Sequence, residues 1–160
     1  EYGDTAFDGS SRTIQLASDY EALRWMQQNI EGSPVIAEAH SGNPYRSVGN
    51  RVAMYTGNPA IIGWDWHTRQ HKAVIPGQFI TNRINDVNTL YNTADVVEAE
   101  RLLAKYGVGY IYVGQLEQAY YHPEGLGKFS QMAASGLLQM VYSQNGVSIY
   151  KVIDTQSLGY

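Results

Sequence analysis

The sequence predicts an α/β fold: a three-layer mixed sheet with helices on both faces and a C-terminal antiparallel hairpin. Segments with apolar residues at helical spacing alternate with short apolar runs rich in β-branched residues, a pattern typical of strands covered by helices. The chain has 160 residues, about the size of one domain. Near its end, two apolar segments flank Asn145-Gly146, a dipeptide that favours a tight hairpin turn.

The first 13 residues are polar and Gly-rich without a period, so we interpret them as an arm leading into one domain over residues 14–160. A helix is expected over residues 19–31. Ser18-Asp19 offers its N-cap, and Gly32-Ser33-Pro34 stops it.

The run 34–39 then predicts a short buried strand that ends at Glu38. Residues 48–56 fit one or two helical turns. After the turn at Gly57-Asn58-Pro59, residues 60–63 predict a second buried strand.

The second half of the chain continues the alternation of helices and strands. Apolar residues recur at spacings of three and four in two segments, and Gly107 is a typical stop after the second of them. The expected elements are helices over 81–90, 94–106 and 125–135, a strand over 108–113, and the hairpin strands 137–142 and 147–152.

Composition excludes several classes of function. Only 16% of residues are charged, the net charge is −4 and no run of Lys or Arg occurs, so a nucleic-acid partner is not expected. No stretch approaches the ~18 apolar residues of a membrane helix. With no Cys, the chain has no disulfide and no thiol nucleophile. Its 13 Tyr residues against 3 Phe give it a polar but uncharged character.

Ligands of doubly wound sheets bind beyond the carboxyl ends of the parallel strands. The predicted ends here are Glu38-Ala39-His40, Gly63-Trp64-Asp65 and Val113-Gly114-Gln115. The segment 63–71 is the densest in functional side chains, since it holds two indoles, a carboxylate, two imidazoles and a guanidinium. It is therefore the first candidate for a binding site.

Two chemical interpretations of these residues remain open. In a helical segment His67 and His71 would lie one turn apart, as metal ligands can, but paired helical histidines are more often surface residues. Glu38 and Asp65 would make an acid and base pair if their side chains converged. The simpler interpretation is that Glu38 caps a loop or pairs with Arg51 or Arg69.

Several long segments of the chain resemble one known family. They are FDG at 7–9, DYEALRWMQQNIEGSPVIAEA at 19–39, Tyr45, RVAMYTGNPAIIGWDWHTRQ at 51–70, DVNTLYNTAD at 86–95 and LLAKYGVGYIYVG at 102–114. This pattern is similar to the C-terminal domain of the Chlor_Arch_YYY family, polytopic membrane proteins that resemble GT-C type glycosyltransferases. One departure is Thr68, where the family often has Glu. Trp64-Asp65-Trp66 is also loosely similar to the Trp-Trp-Asp-Tyr-Gly motif of oligosaccharyltransferases.

The resemblance implies an extracytoplasmic domain, excised from a cell-membrane enzyme that uses a polyprenyl-phosphate-linked sugar. Such a domain has no catalytic residue and no turnover of its own. Its implied partners are its own transmembrane region and a lipid-linked sugar or glycan acceptor. No cofactor is expected in this fragment, although a divalent metal is compatible with the parent enzyme.

The expected substrate-binding residues come from the strand ends and the matching positions. Arg51 or Arg69 would meet a phosphate or carboxylate, and Trp64 would stack on a sugar. The full set is Glu38, Tyr45, Arg51, Trp64, Asp65, His67, Arg69 and Gln70.

Two alternatives belong to other classes. One is a stand-alone hydrolase that uses Glu38 and Asp65. The other is a structural interaction module of a membrane protein, in which the WDWHTRQ segment only locks a loop. Full burial of Trp64 and His67, with satisfied partners and no adjoining pocket, would favour the module.

Overall fold

The computed structural model places a four-stranded mixed sheet between helices, which confirms the predicted fold class. It describes residues 2–5, 11–14, 16–40, 48–64, 68–70 and 76–153. Among these, no helix has both the length and the apolar character needed to cross a membrane.

Six helices and six strands have both ends within the described residues, and residues 68–70 are also helical. The helices are α1 (Ala17–Asn29), α2 (Arg51–Thr56), α3 (Gly77–Asn92), α4 (Val96–Tyr106), α5 (Gln115–Tyr120) and α6 (Pro123–Ala134). The strands are β1 (Tyr2–Thr5), β2 (Ser11–Ile14), β3 (Val35–Ala37), β4 (Val108–Val113), β5 (Leu138–Gln144) and β6 (Val147–Val152).

The main sheet has the order β3-β4-β6-β5, in which β3 and β4 are parallel and the other neighbours are antiparallel. The parallel pair therefore directs the carboxyl ends of β3 and β4 to the same edge. A separate antiparallel ribbon, β1 with β2, forms within and just beyond the segment interpreted as an arm.

The two faces of the sheet bury two apolar clusters of unequal size. Alternation along each strand sends neighbouring residues to opposite faces: Ile111 faces the larger cluster and Tyr112 the smaller. Helix α1 covers the smaller cluster with Ala22, Leu23 and Met26. Helices α3 to α6 contribute to the larger one. Helices on both faces are thus required to bury both sides of β4.

The predicted tight turn at Asn145-Gly146 is confirmed in the C-terminal hairpin. Asn145 and Gly146 both have positive φ, 53° and 77°, the combination that a two-residue hairpin of this kind requires. Strands β5 and β6 pair across this turn. Gly107 likewise ends α4 in the left-handed conformation, as predicted.

Three local expectations differ from the structure. Residues 60–63 form no strand but one isolated bridge, between Ala60 and Ile36, and Ile61 and Ile62 are both buried by packing instead of alternating. Helix α1 begins at Ala17, so Asp19 lies in its first turn and not at its N-cap. Helix α5 has only six residues, and the sequence pattern does not predict it.

Helices α3 and α6 meet closely where α3 ends and α6 begins. Lys128 is 1% exposed, and its Nζ donates to the carbonyl oxygens of Leu90 and Gly125, the latter at 2.8 Å. The cation therefore satisfies a carbonyl in the last turn of α3, where a positive charge also favours the helix dipole. Burial lowers the pKa of Lys128 to about 7.

Candidate functional site

A buried ion cluster lies at the carboxyl ends of the two parallel strands. We call it the Arg51 cluster; it consists of Asp19, Arg51, Tyr112 and Glu117. The Arg51 guanidinium donates to Asp19 Oδ1 at 3.2 Å and to Glu117 Oε2 at 2.8 Å. The Tyr112 hydroxyl donates to the same Asp19 oxygen, and the guanidinium carbon lies 5.0 Å from the centre of the Tyr112 ring. All four side chains are buried.

Glu117 joins the two strand ends to this cluster. It lies in the first turn of α5, and its two oxygens accept from the backbone N–H groups of Ala39 and Gly114, both at 2.8 Å. Gly114 has no room for a side chain, because a Cβ there would lie 2.8 Å from Asp19 Oδ1 and 3.0 Å from Arg51 Nη2. The close approach of backbone and cluster therefore depends on glycine at this position.

Glu38 caps the amino end of α2. Its two carboxyl oxygens accept from the backbone N–H groups of Val52 and Ala53, at 2.7 and 3.0 Å. These donors have no partner within the helix, so the carboxyl group satisfies two backbone N–H groups that the helix leaves open. Glu38 is 3% exposed and both oxygens are engaged, so the geometry opposes its use as the acid or base of a hydrolase.

The cluster contains two carboxyl groups and one guanidinium, whereas a site that binds an anion has an excess of positive charge. Burial alone would lower the pKa of Arg51, but the neighbouring Glu117 and Asp19 charges raise it well above its usual value. Burial raises the pKa of Glu38 to about 8, against the opposing effect of Arg51. By formal charge the cluster holds two carboxylates and one guanidinium, and Glu38, with its raised pKa, adds little charge at neutral pH.

The free energy of unfolding is expected to fall between pH 4.5 and about 8 because of Glu38. The unfolded chain releases this proton near pH 4.5, whereas the folded protein holds it to about pH 8. Since the folded state binds more protons in this window, the stabilisation is complete below pH 4.5. It is lost as the pH rises through 8, at up to about 1.4 kcal/mol per pH unit.

Urea unfolding at pH 5 and pH 8 measures this effect, with Glu38→Gln as the comparison. The variant cannot titrate at this position, so its stability should change less between the two pH values than that of the parent chain. Parallel pH profiles for the two proteins would show that Glu38 does not titrate in this window.

The structure brings only part of the predicted site together. Glu38 and Arg51 come together at the start of α2, which Arg51 begins and Glu38 caps, and the charge of Arg51 acts on Glu38. Arg69 instead donates to the carbonyl oxygen of Gly77 and to the Thr81 hydroxyl, at the start of α3. Trp64 is half-buried and Gln70 is exposed. Tyr45, Asp65, His67 and His71 lie outside the described residues.

Sequence reasoning missed three of the four residues in the Arg51 cluster as site residues. The sequence predicts Asp19 only as part of an N-cap, and Tyr112 in β4 also packs in the smaller apolar cluster. Glu117 lies on the helix that the sequence pattern does not predict. Its position three residues after Gly114 at a strand end was the available signal, since a Glu in the first turn often binds back to the preceding backbone. Within the described part of the chain, no group of His, Asp and Glu is placed to hold a metal.

A cavity of about 530 Å³ opens between α1 and α2, over the Arg51 cluster. We call it the α1–α2 cavity. Its wall includes Asp19, Tyr20, Leu23, Arg51, Met54 and Tyr55. Neither Trp64 nor Arg69 lines it, so the cavity is separate from that part of the predicted site.

Among solved structures, the fold is similar to that of a globular domain of an oligosaccharyltransferase. The matched structure is the C-terminal globular domain of the enzyme from Archaeoglobus fulgidus. The match covers 88% of this chain and 100% of that domain, with a TM-score of 0.54 and 13% sequence identity. At this identity the likeness shows the fold alone. No protein-family model matches the chain, and no curated protein matches it in sequence.

Proposed function

We propose that this chain is the substrate-positioning domain of a GT-C type membrane glycosyltransferase of the Chlor_Arch_YYY kind. In this proposal it lies on the extracytoplasmic face of the cell membrane. It packs against its own transmembrane region and holds a polyprenyl-phosphate-linked sugar or a glycan acceptor. The observation that supports it most is the fold similarity, which extends over the whole of an oligosaccharyltransferase domain and 88% of this chain.

The geometry supports a positioning role over a catalytic one. A general acid or base needs a carboxyl group within reach of the substrate, and Glu38 has both oxygens engaged by backbone donors. Glu117 is fully buried, and its oxygens bind backbone and Arg51. The described carboxylates at the strand ends therefore fix the architecture of the site, and the reaction itself is assigned to the membrane part of the parent enzyme.

The proposed site keeps the predicted residues of the segment after Ile62, with Trp64 as a platform for a sugar ring. We no longer propose Arg51 as a phosphate-binding residue, since its guanidinium already donates hydrogen bonds to two carboxylates. Arg69 lies at the amino end of α3, and Tyr45, Asp65, His67 and Gln70 complete the proposed set. Glu38 acts by holding α2 in place.

Transfer by the full-length parent protein tests this function. Membranes containing it are supplied with a polyprenyl-phosphate-linked radiolabelled hexose, and label in the glycan product is measured. Trp64→Ala is expected to lower transfer about tenfold, equivalent to ~1.4 kcal/mol of transition-state stabilisation. Phe79→Ala, an exposed aromatic residue on α3, is the matched control and should leave transfer unchanged.

The two possible failures have different meanings. Normal transfer by a well-expressed Trp64→Ala protein would remove Trp64 from the site but leave the function intact. Absence of transfer by the unsubstituted parent, with each of the available lipid-linked donors, would contradict the function itself.

A further inference from the structure

Exposed apolar side chains are concentrated at the α1–α2 cavity. Within the described residues six large apolar side chains are exposed, and three of them, Tyr20, Met54 and Tyr55, line this cavity. Each of the three is 47% exposed or more. Tyr20 lies on α1 and the other two lie on α2, so both helices contribute apolar surface to an opening of about 530 Å³. Such a concentration of exposed apolar surface is typical of a ligand or interaction site.

The charged and amide side chains of the wall have partners in the protein, with one exception. The guanidinium of Arg51 donates to Asp19, and the side-chain amide of Gln27 donates to the backbone carbonyl oxygen of Tyr55. Arg24 is exposed and forms neither an ion pair nor a hydrogen bond with any of the described residues. Besides the tyrosine hydroxyls, the wall therefore offers a ligand one unpaired cation and a largely apolar surface.

The charges that line the cavity favour an anion. They are the carboxylate of Asp19 and the guanidinium groups of Arg24 and Arg51, an excess of one positive charge. Asp19 and Arg51 are buried, so the exposed charge on the wall is that of Arg24. Glu117 is fully buried and does not line the cavity. Since a guanidinium can donate two parallel hydrogen bonds to a phosphate or a carboxylate, Arg24 is suited to an anionic group.

We propose that the α1–α2 cavity binds a single-chain amphiphile with an anionic head group, a phosphate or a carboxylate. The apolar chain lies against Tyr20, Met54 and Tyr55, and the head group accepts hydrogen bonds from Arg24. This assignment does not rest on the proposed function, because the cavity is separate from Trp64 and its binding is measured without any transfer reaction. A polyprenyl phosphate, the lipid of that function, belongs to the same chemical class.

The less exposed part of the wall selects a hydrocarbon chain over a polar ligand. It includes the apolar side chains of Leu16, Leu23 and Val48. A peptide or a free sugar would turn many of its polar groups towards these side chains, and unpaired polar groups at an apolar surface are costly in free energy. A hydrocarbon chain has no such groups, and its removal from water is favourable. An inorganic anion would reach Arg24 but leave the apolar surface uncovered.

Nuclear magnetic resonance titration and calorimetry on this chain at pH 7 test the proposal. The probes share an octyl or octanoyl chain and differ in head group: octyl phosphate, octanoate, octyl glucoside and octyltrimethylammonium, each below the concentration at which it forms micelles. At least one of the two anionic probes is expected to bind with a Kd of about 0.1–1 mM, with amide shifts in α1 and α2. The neutral and cationic probes should bind at least ~5-fold more weakly. Inorganic phosphate should bind at least ~10-fold more weakly, because it has no apolar chain.

Arg24→Gln tests the contact with the head group. It keeps an exposed polar side chain of similar helix propensity, so the fold should be retained. Binding of the preferred anionic probe should weaken about fivefold, whereas binding of octyl glucoside should not change. Arg101→Gln is the matched control. It removes an exposed arginine on α4, outside the cavity, and should leave the affinity for every probe unchanged.

Tyr55→Ala tests the contact with the apolar chain. It shortens an exposed side chain of the wall and should weaken the binding of the anionic probes about threefold or more, through the loss of apolar contact. Phe79→Ala removes a similarly exposed ring outside the cavity and should change nothing.

Three results would overturn the proposal. They are binding of the neutral or cationic probe as tight as that of both anions, anion binding that is unchanged in Arg24→Gln, and equal weakening by the test variants and their controls, which would show adsorption without a site. Preference for octyl phosphate would support a lipid phosphate as the natural ligand, and preference for octanoate would support a fatty acid. Loss of the proposed transfer function would leave the cavity assignment standing, and absence of anion binding would leave the transfer function standing.

Discussion

Replacing Arg51 with Met is expected to lower the free energy of unfolding by about 3–5 kcal/mol. The reason is the burial of its partners: Asp19 and Glu117 are 2% and 0% exposed and both pair with Arg51. Without the guanidinium, two carboxylates remain in a site with little water. Methionine keeps most of the side-chain volume, so the effect reports the lost charge and not a cavity.

Urea unfolding at pH 7, followed by circular dichroism, measures this loss. Arg101→Met is the matched control, since Arg101 also pairs with a carboxylate, Glu98 at 2.7 Å, but on the exposed surface of α4. It should leave the unfolding midpoint nearly unchanged, because exposed ion pairs contribute little. A loss below about 1 kcal/mol for Arg51→Met would mean that the buried carboxylates find other partners or protons.

Gly125→Ala is expected to destabilise the protein by about 3 kcal/mol, the upper part of the range for overpacking. Gly125 lies in the first turn of α6, where it touches the end of α3. An added Cβ would lie 2.6 Å from both the carbonyl carbon and the carbonyl oxygen of Asn92, and it would also clash with the Tyr91 carbonyl oxygen. These are backbone atoms of a helix end, so the strain cannot be relieved by turning a side chain.

Gly127→Ala is the matched control and should have the opposite sign. It lies two residues further along the same helix and is exposed. Apart from the backbone of its own helix and its chain neighbours, no atom would lie within 4 Å of a Cβ added there. Alanine there should stabilise the protein by about 0.5–1 kcal/mol through helix propensity. The two midpoints in one urea titration series measure both changes. Two shifts of the same sign would contradict the close packing of α3 against α6.

The elements predicted well are those whose signals are local. Strand β4 is predicted over residues 108–113 and observed as Val108–Val113, because its apolar run is bounded by the helix stop at Gly107. The Asn145-Gly146 turn is identifiable because its positive φ angles select these residue types. In both cases a few neighbouring residues determine the backbone.

The elements predicted poorly depend on distant partners. Ile61 and Ile62 are buried by the larger cluster without pairing as a strand, and an apolar run of four residues cannot distinguish these outcomes. The Arg51 cluster could be predicted only in part, because its residues are distant in the sequence. Glu38 and Arg51 are identified by position and resemblance, but the pairing of Asp19 with Arg51 depends on how α1 lies over β4.

The Arg51 cluster also bears on the order in which the chain folds. Arg51 bonds to Asp19 across 32 residues and to Glu117 across 66, and Tyr112 reaches Asp19 across 93. Loops of this length close only after helices and hairpins have formed locally. We therefore expect the cluster to form late in folding, and its strength to affect mainly the rate at which the native state unfolds.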